Sequence, residues 1–104
     1  MAKYNGWTNY ETWVVNLWMD NDPGEYERWR EVAREHLDAA SEAPPLTRMQ
    51  AAAIGLADEL KEQADEELPD VDGFWKDLLL AALSEVNWYE IARCLIEEVA
   101  EVEV

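Results

Sequence analysis

The sequence predicts an all-α fold, a compact bundle of about five short helices, and three observations predict it. Apolar residues recur every three to four positions along the chain, and no alternating strand pattern lasts more than a few residues. Residues that start and stop helices punctuate that pattern. Six tryptophans and an apolar content of 49% also give a chain of formal charge −16 enough surface to bury, so that it folds where an acidic tail would not. With 104 residues the expectation is a single acidic helical domain, residues 1–104, because halves would be too small for separate cores.

The first helix is expected to start at Thr8, Asn9, Tyr10 and Glu11, read as a capping box in which Thr8 and Glu11 satisfy each other's backbone N–H groups. It carries Trp13, Val14, Leu17 and Trp18 at helical spacing and stops at Asp20-Asn21-Asp22-Pro23-Gly24. Asp22 caps the second helix, with Pro23 at its first position. That helix, about Pro23 to Ser41, aligns Tyr26, Trp29, Ala33, His36 or Leu37, and Ala40, while Glu27/Arg30 and Glu31/Arg34 are spaced to pair on its outer face. After Pro44-Pro45, Thr47 and Gln50 form a capping box for a third helix bearing Met49, Ala53, Leu56 and Leu60, in which Gly55 marks a close helix contact. The fourth helix, after Leu68 to Gly73, is the most apolar, with Trp75, Leu78, Leu79, Ala82, Leu83 and Val86 on one face and Leu80 and Ala81 beside it; it is expected at the centre. Asn87 with Glu90 caps the fifth, whose inward residues are Trp88, Ile91, Ala92, Leu95 and Val99.

The charge opposes direct binding to nucleic acid or to anionic lipid, both of which are approached through Lys and Arg, so the expected partner is a basic protein. Met1 to Gly6 lack the apolar core of a signal peptide, no apolar run is long enough to span a membrane, and the lone Cys94 has no disulfide partner. These features point to a cytoplasmic protein. Adaptation to high salt, or a need for solubility, is the plain alternative account of the acidity.

Acidic excess concentrates in the second half: −6 over residues 44–72 and −5 over 73–104, against −2 over 1–24 and −3 over 25–43. Asp58, Glu59, Glu62, Asp65, Glu66 and Glu67 crowd the end of the third helix, and Glu97, Glu98, Glu101 and Glu103 the end of the fifth. Negative charge at helix C-termini opposes the macrodipole at about 0.3–1 kcal/mol each, and i,i+4 pairs such as Asp58/Glu62 repel. Carboxylates on one face have Cβ atoms about 5–6 Å apart, close to the spacing of successive phosphates on a nucleic acid strand. An acidic docking surface of Asp58, Glu59, Glu62, Asp65, Glu66, Glu97, Glu98 and Glu101 is therefore one candidate site, and an ordinary solvated face is the other reading of the same residues.

No catalytic residues, cofactor site or metal site is expected. His36 is the only histidine and reads as a core or boundary residue; Cys94 falls among Ile91, Leu95 and Ile96 and reads as buried. No Gly-rich phosphate loop, zinc spacing or calcium loop occurs. Trp29, Trp75 and Trp88 fit apolar stripes and are expected in the core. Trp13 and Trp18 lie some 140° apart on an ideal helix, so one of them is expected to face out. Tyr4, Trp7, Tyr10 and Trp18 form an alternative, aromatic contact surface, and a homodimer is left open.

Asn5-Gly6-Trp7-Thr8-Asn9-Tyr10-Glu11-Thr12-Trp13, followed by Asn16-Leu17-Trp18 and Asp20-Asn21, resembles small phage and plasmid proteins of unassigned function; Val86-Asn87-Trp88-Tyr89-Glu90-Ile91-Ala92 resembles their second shared segment. The two cover about a quarter of the chain and begin their helices in a similar way. The resemblance implies a mobile-element context and carries over no site residue. Small acidic proteins of such elements often resemble inhibitors of host defence. The expected function is thus a non-enzymatic anti-restriction or anti-CRISPR inhibitor that mimics DNA or RNA in the host cytoplasm. A structural or adaptor module with merely solubilising acidity is the alternative.

Overall fold

A computed structural model describes residues 4–102 as five α-helices: α1 (Tyr10–Asn21), α2 (Pro23–Ala39), α3 (Arg48–Glu66), α4 (Phe74–Ser84) and α5 (Trp88–Val102). Met1 to Lys3, and Glu103 of the acidic chain end, lie outside the described residues. The all-α bundle expected from the apolar periodicity is what forms. Between helices the only ladders among the described residues are two isolated bridges, Tyr4 to Trp7 and Ala43 to Leu46. At the first, Tyr4 and Trp7 exchange two backbone hydrogen bonds of 2.8 Å around Asn5 (φ 48°) and Gly6 (φ 88°). Two positive φ angles are the signature of a type I′ turn, which Asn-Gly favours.

The caps of α2 and α3 follow local chemistry. Asp22 accepts from the N–H groups of Gly24 and Glu25 with Pro23 behind it, and Thr47 and Gln50 form the reciprocal capping box. The start of α1 differs by one residue from the expected frame. Asn9, rather than Thr8, is the N-cap, and its Oδ1 accepts from Thr12 N at 2.9 Å. The cause is non-local: the Thr8 amide donates to Glu90 Oε1 of α5 at 3.0 Å and is not available to Glu11.

α2 and α3 form an antiparallel hairpin. Arg28 Nη2 donates to Gln63 Oε1 near one end, and His36 meets Glu59 toward the other. Gly55 sits where α2 comes closest: a Cβ there would lie 3.0 Å from His36 Nδ1. α5 then packs on both. Ile91, Ala92, Leu95, Ile96 and Val99 of α5 meet Ala52, Ala53, Leu56, Ala57 and Leu60 of α3 and Trp29, Ala33 and Leu37 of α2 in one buried core. Three alanines on α3 permit the short separation that makes α3 and α5 the principal pair. α1 covers an edge of this core, where Val15 and Met19 meet Trp29, Leu60 and Trp88.

α4 is not the central helix. None of its residues is buried, and Phe74, Trp75 and Leu78 are 64%, 64% and 55% exposed. The expectation for Trp75 is overturned with it, whereas Trp29 is 3% exposed and Trp88 is half-buried against the core. Apolar content measures how much surface a helix needs covered, and it does not say that the same chain covers it. α5, with its Arg93 and glutamates on one side, presents a cleaner apolar face and takes the centre. The molecule is correspondingly elongated, 47 × 33 × 24 Å with a radius of gyration of 14.6 Å, against about 13 Å for a close-packed chain of this length.

Candidate functional site

The acidic row of α3 is built by its opposite face. Ala52, Ala53, Leu56, Ala57 and Leu60 fix that helix against α2 and α5, so the side chains opposite are held on a rigid rod facing solvent. Asp58, Glu62, Asp65 and Glu66 occupy positions i, i+4, i+7 and i+8; all four are exposed, and none forms an ion pair among the described residues. Four unneutralised carboxylates thus follow one stripe for about 12 Å at 1.5 Å rise per residue. Glu59 differs from its neighbours, because its Oε1 is 2.8 Å from His36 Nε2. Gln63 lies between them, accepting from Arg28 at 3.2 Å and donating to Glu67 at 2.7 Å.

The three acids of α5 do not extend this row. Glu97 lines a depression with Thr47, Met49 and Gln50 at the start of α3, and Glu62 stands about 18 Å of helix further along from Gln50. Glu98 and Glu101 instead line a depression with Tyr26, Arg30 and Arg34 on α2. Glu98 Oε2 accepts from Arg30 Nη2 at 2.6 Å, and Asp20 of α1 approaches the same nitrogen at 3.5 Å. The Arg30 side chain, 13% exposed, also lies over the Tyr26 ring at 3.4 Å. The expected Glu27/Arg30 pair does not form, because two acids from other helices and an aromatic face hold Arg30. Glu31/Arg34 does not form among the described residues either. Sequence reasoning missed Arg30; its only local signal was Tyr26 four residues earlier, at stacking distance on a helix.

The aromatic candidates separate in the same way. Tyr4 and Tyr10 pack on Trp13 with ring centroids 5.0 and 5.7 Å away, forming a half-exposed cluster at the start of α1. Trp7 turns inward against the core. Trp18 stands alone at 73% exposure, which answers which of Trp13 and Trp18 faces out.

The two helix starts that resemble each other interlock. Thr12, fully buried, donates its hydroxyl to Asn9 Oδ1 at 2.6 Å and accepts from Asn87 N at 2.9 Å. Asn87 Oδ1 caps α5 by accepting from Glu90 N at 3.0 Å, while the Glu90 carboxylate crosses to Thr8 N. Asn9 Nδ2 donates to the Glu85 carbonyl at 2.6 Å. Both segments therefore serve one structural joint between α1 and α5.

Residues 1–103 match a single family model. The chain belongs to DUF7249, a family of unknown function. No curated protein matches the DUF7249 chain, and no solved structure does. Two further reactive side chains of this DUF7249 member are Cys94 and His36. Cys94 is half-buried, and burial pushes its thiol up from the ordinary range, with Glu97, Glu90 and Glu98 adding to the effect and Arg93 opposing it. His36 lies at the α2–α3 boundary against Gly55 and Glu59. Among the described residues, no group of three His, Cys, Asp or Glu is placed to hold a metal ion, and no helix is long and apolar enough to cross a membrane.

Proposed function

We propose that the protein acts by stoichiometric binding, laying the acidic row of α3 into the basic nucleic-acid channel of a host protein. The observation that carries this reading is the row itself: Asp58, Glu62, Asp65 and Glu66 are exposed, unpaired among the described residues, and fixed to a helix whose other face is buried. A charge stripe kept at a helix C-terminus, against the macrodipole and against its own i,i+4 repulsion, is costly to stability and suits a surface that a cationic partner neutralises. Such a partner is steered in rapidly and released by salt. The mobile-element resemblance makes restriction enzymes and CRISPR effector complexes the first targets to try, and makes the host cytoplasm the place of action. In this reading the protein is no enzyme, and Glu97, Glu98 and Glu101 are secondary, because they face α2 and the start of α3.

The test is a pull-down from host lysate at about 0.1 M and about 1 M salt, between which the screening length falls from roughly 10 Å to 3 Å. Wild-type protein is compared with the triple variant Asp58→Asn, Glu62→Gln, Glu66→Gln. Capture of a nucleic-acid-handling complex at low salt only, competed by DNA or RNA and lost in the triple variant, is the expected outcome. A partner retained at high salt by wild type and variant alike refutes mimicry. The adaptor reading has one observation in its favour, the exposed Trp18; under it Trp18→Ala, and not the triple variant, abolishes capture.

A further inference from the structure

We infer that the exposed face of α4 is a docking site for a cationic amphipathic helix of another protein. The site is distinct from the acidic row of α3, and the inference does not rest on the reading of that row. An isolated helix of 11 residues is not stable in water, because nucleation is costly and tertiary packing must offset it. Yet α4 has no buried residue and no side-chain cap at Gly73. Leu79 and Leu83 are half-buried, and every other residue of α4 is exposed. The exposed side centres on Leu78, with Phe74, Trp75, Ala81 and Ala82 at i−4, i−3, i+3 and i+4, all within about 60° of it on an ideal helix. Phe74 and Trp75 are each 64% exposed, and their ring centroids lie 4.6 Å apart. They make a ridge at one end of the face, and the two alanines leave a shallow floor at the other. Val71, Trp75, Leu78 and Leu79 line an almost wholly apolar depression of about 370 Å³ beside them. This is one half of a helix pair, with a recess for a large apolar side chain.

Charge selects the occupant. From Asp70 to Glu85 the chain carries four acids, Asp70, Asp72, Asp77 and Glu85, against Lys76 alone. All four are exposed, and none forms an ion pair among the described residues. Asp70 and Asp72 stand just before α4, Asp77 borders Phe74 and Ala81, and Glu85 continues the face at i+7 from Leu78. Lys76 lies about 160° round the helix from Leu78, away from the face. An apolar face with acids at both ends and along one edge is matched by a helix whose apolar stripe is flanked by Lys and Arg. A neutral or acidic helix covers those carboxylates without pairing them, which costs affinity. The exposed rings of Phe74 and Trp75 add a second preference for cations, which aromatic faces attract. A second copy of this chain does not meet the condition, because α1, α2, α3 and α5 are each net negative and α4 is neutral. Asp77 and Glu85 are about 12 Å apart along the axis, so the partner helix is expected to carry basic residues about two turns apart.

The test uses a labelled peptide of about 14 residues built of Leu, Ala and Lys, with Leu at i, i+3, i+4 and i+7, and a scrambled peptide of the same composition that has no stripe. Fluorescence anisotropy is read against the full chain at about 0.15 M salt. The striped peptide is expected to bind with micromolar affinity, and the scrambled one about tenfold more weakly. Leu78→Glu is expected to weaken the striped peptide about tenfold with unchanged circular dichroism, since Leu78 is 55% exposed. The added charge strengthens a merely electrostatic attraction, so this loss separates docking from nonspecific binding. Asp77→Asn with Glu85→Gln is expected to weaken binding and to flatten its salt dependence. The triple variant Asp58→Asn, Glu62→Gln, Glu66→Gln is expected to bind the striped peptide within about twofold of wild type, so the two surfaces stand or fall separately. Equal binding of the two peptides overturns the inference. So does Leu78→Glu binding as tightly as wild type, loss of binding in the triple variant, or no binding at about 100 µM protein.

Discussion

Replacing Thr12 by Val tests whether the joint between α1 and α5 stabilises the protein through hydrogen bonding or only through shape. Valine fills nearly the same volume, so no cavity is opened, and the loss is confined to one hydroxyl. That hydroxyl accepts from Asn87 N at 2.9 Å and donates to Asn9 Oδ1 at 2.6 Å. Asn9 keeps its bond from Thr12 N, so its oxygen is not orphaned. Asn87 N has no such reserve, and a partly buried donor left without a partner costs about 1–3 kcal/mol. Taking about 2 kcal/mol as the central value, and roughly 4–8 °C per kcal/mol for a chain near 100 residues, the melting temperature falls by about 8–16 °C. Thr12→Ser keeps both bonds and loses one buried methyl, about 1 kcal/mol. Thermal and urea denaturation followed by far-UV circular dichroism should therefore rank wild type above Ser and Ser above Val, with the urea slope unchanged. A valine variant as stable as wild type, or more stable than the serine variant, would show that the joint is held by packing and refute this account of it.

Gly55→Ala should gain about 1 kcal/mol of helix propensity, but its Cβ meets His36 Nδ1 at 3.0 Å. The full gain is therefore expected only in a His36→Ala background, and equal effects in both backgrounds would deny the contact. The triple variant Asp58→Asn, Glu62→Gln, Glu66→Gln should be more stable than wild type by a few tenths of a kcal/mol per relieved repulsion, measured by urea denaturation; destabilisation would mean that these acids have structural partners. Raising salt from about 0.1 M to 1 M should raise the melting temperature of wild type more than that of the triple variant as repulsion is screened, and equal shifts would place the repulsion elsewhere. The raised Cys94 thiol holds less thiolate at neutral pH than a free cysteine. Iodoacetamide should therefore label it more slowly in the folded protein than in urea, with the rate climbing only at alkaline pH; equal rates would show an ordinary exposed thiol.

Features governed by near neighbours were legible in the sequence. Asp22-Pro23, Thr47 with Gln50, and Asn87 with Glu90 N all cap helices where their spacing says, because a cap is satisfied within three residues. Thr8 misled because the competitor for its amide stands 82 residues away. Arg30 misled for a similar reason: Asp20 and Glu98 lie on other helices, and i,i+3 spacing to Glu27 loses to them. The acidic row of α3 was legible residue by residue, since its members share one helix. Its continuation onto α5 was not, since which side of α5 faces α3 is decided by Ala52, Ala53 and Ala57 admitting Ile91, Leu95 and Ile96. The place of α4 was the least legible, because apolarity records a need for cover without naming the cover.

The central place of α5 also has a consequence during synthesis. α5 supplies the centre of the core and is translated last of the five helices, so α1, α2 and α3 emerge from the ribosome with Trp29, Leu56 and Leu60 still lacking the partner that buries them. Contacts of such large sequence separation form late and leave nascent apolar surface exposed to other chains. Residues 1–87 carry seven Lys and Arg against nineteen Asp and Glu, a charge of −12. Net charge of that size opposes association between unfinished chains, the direction needed until α5 is made and the core can close.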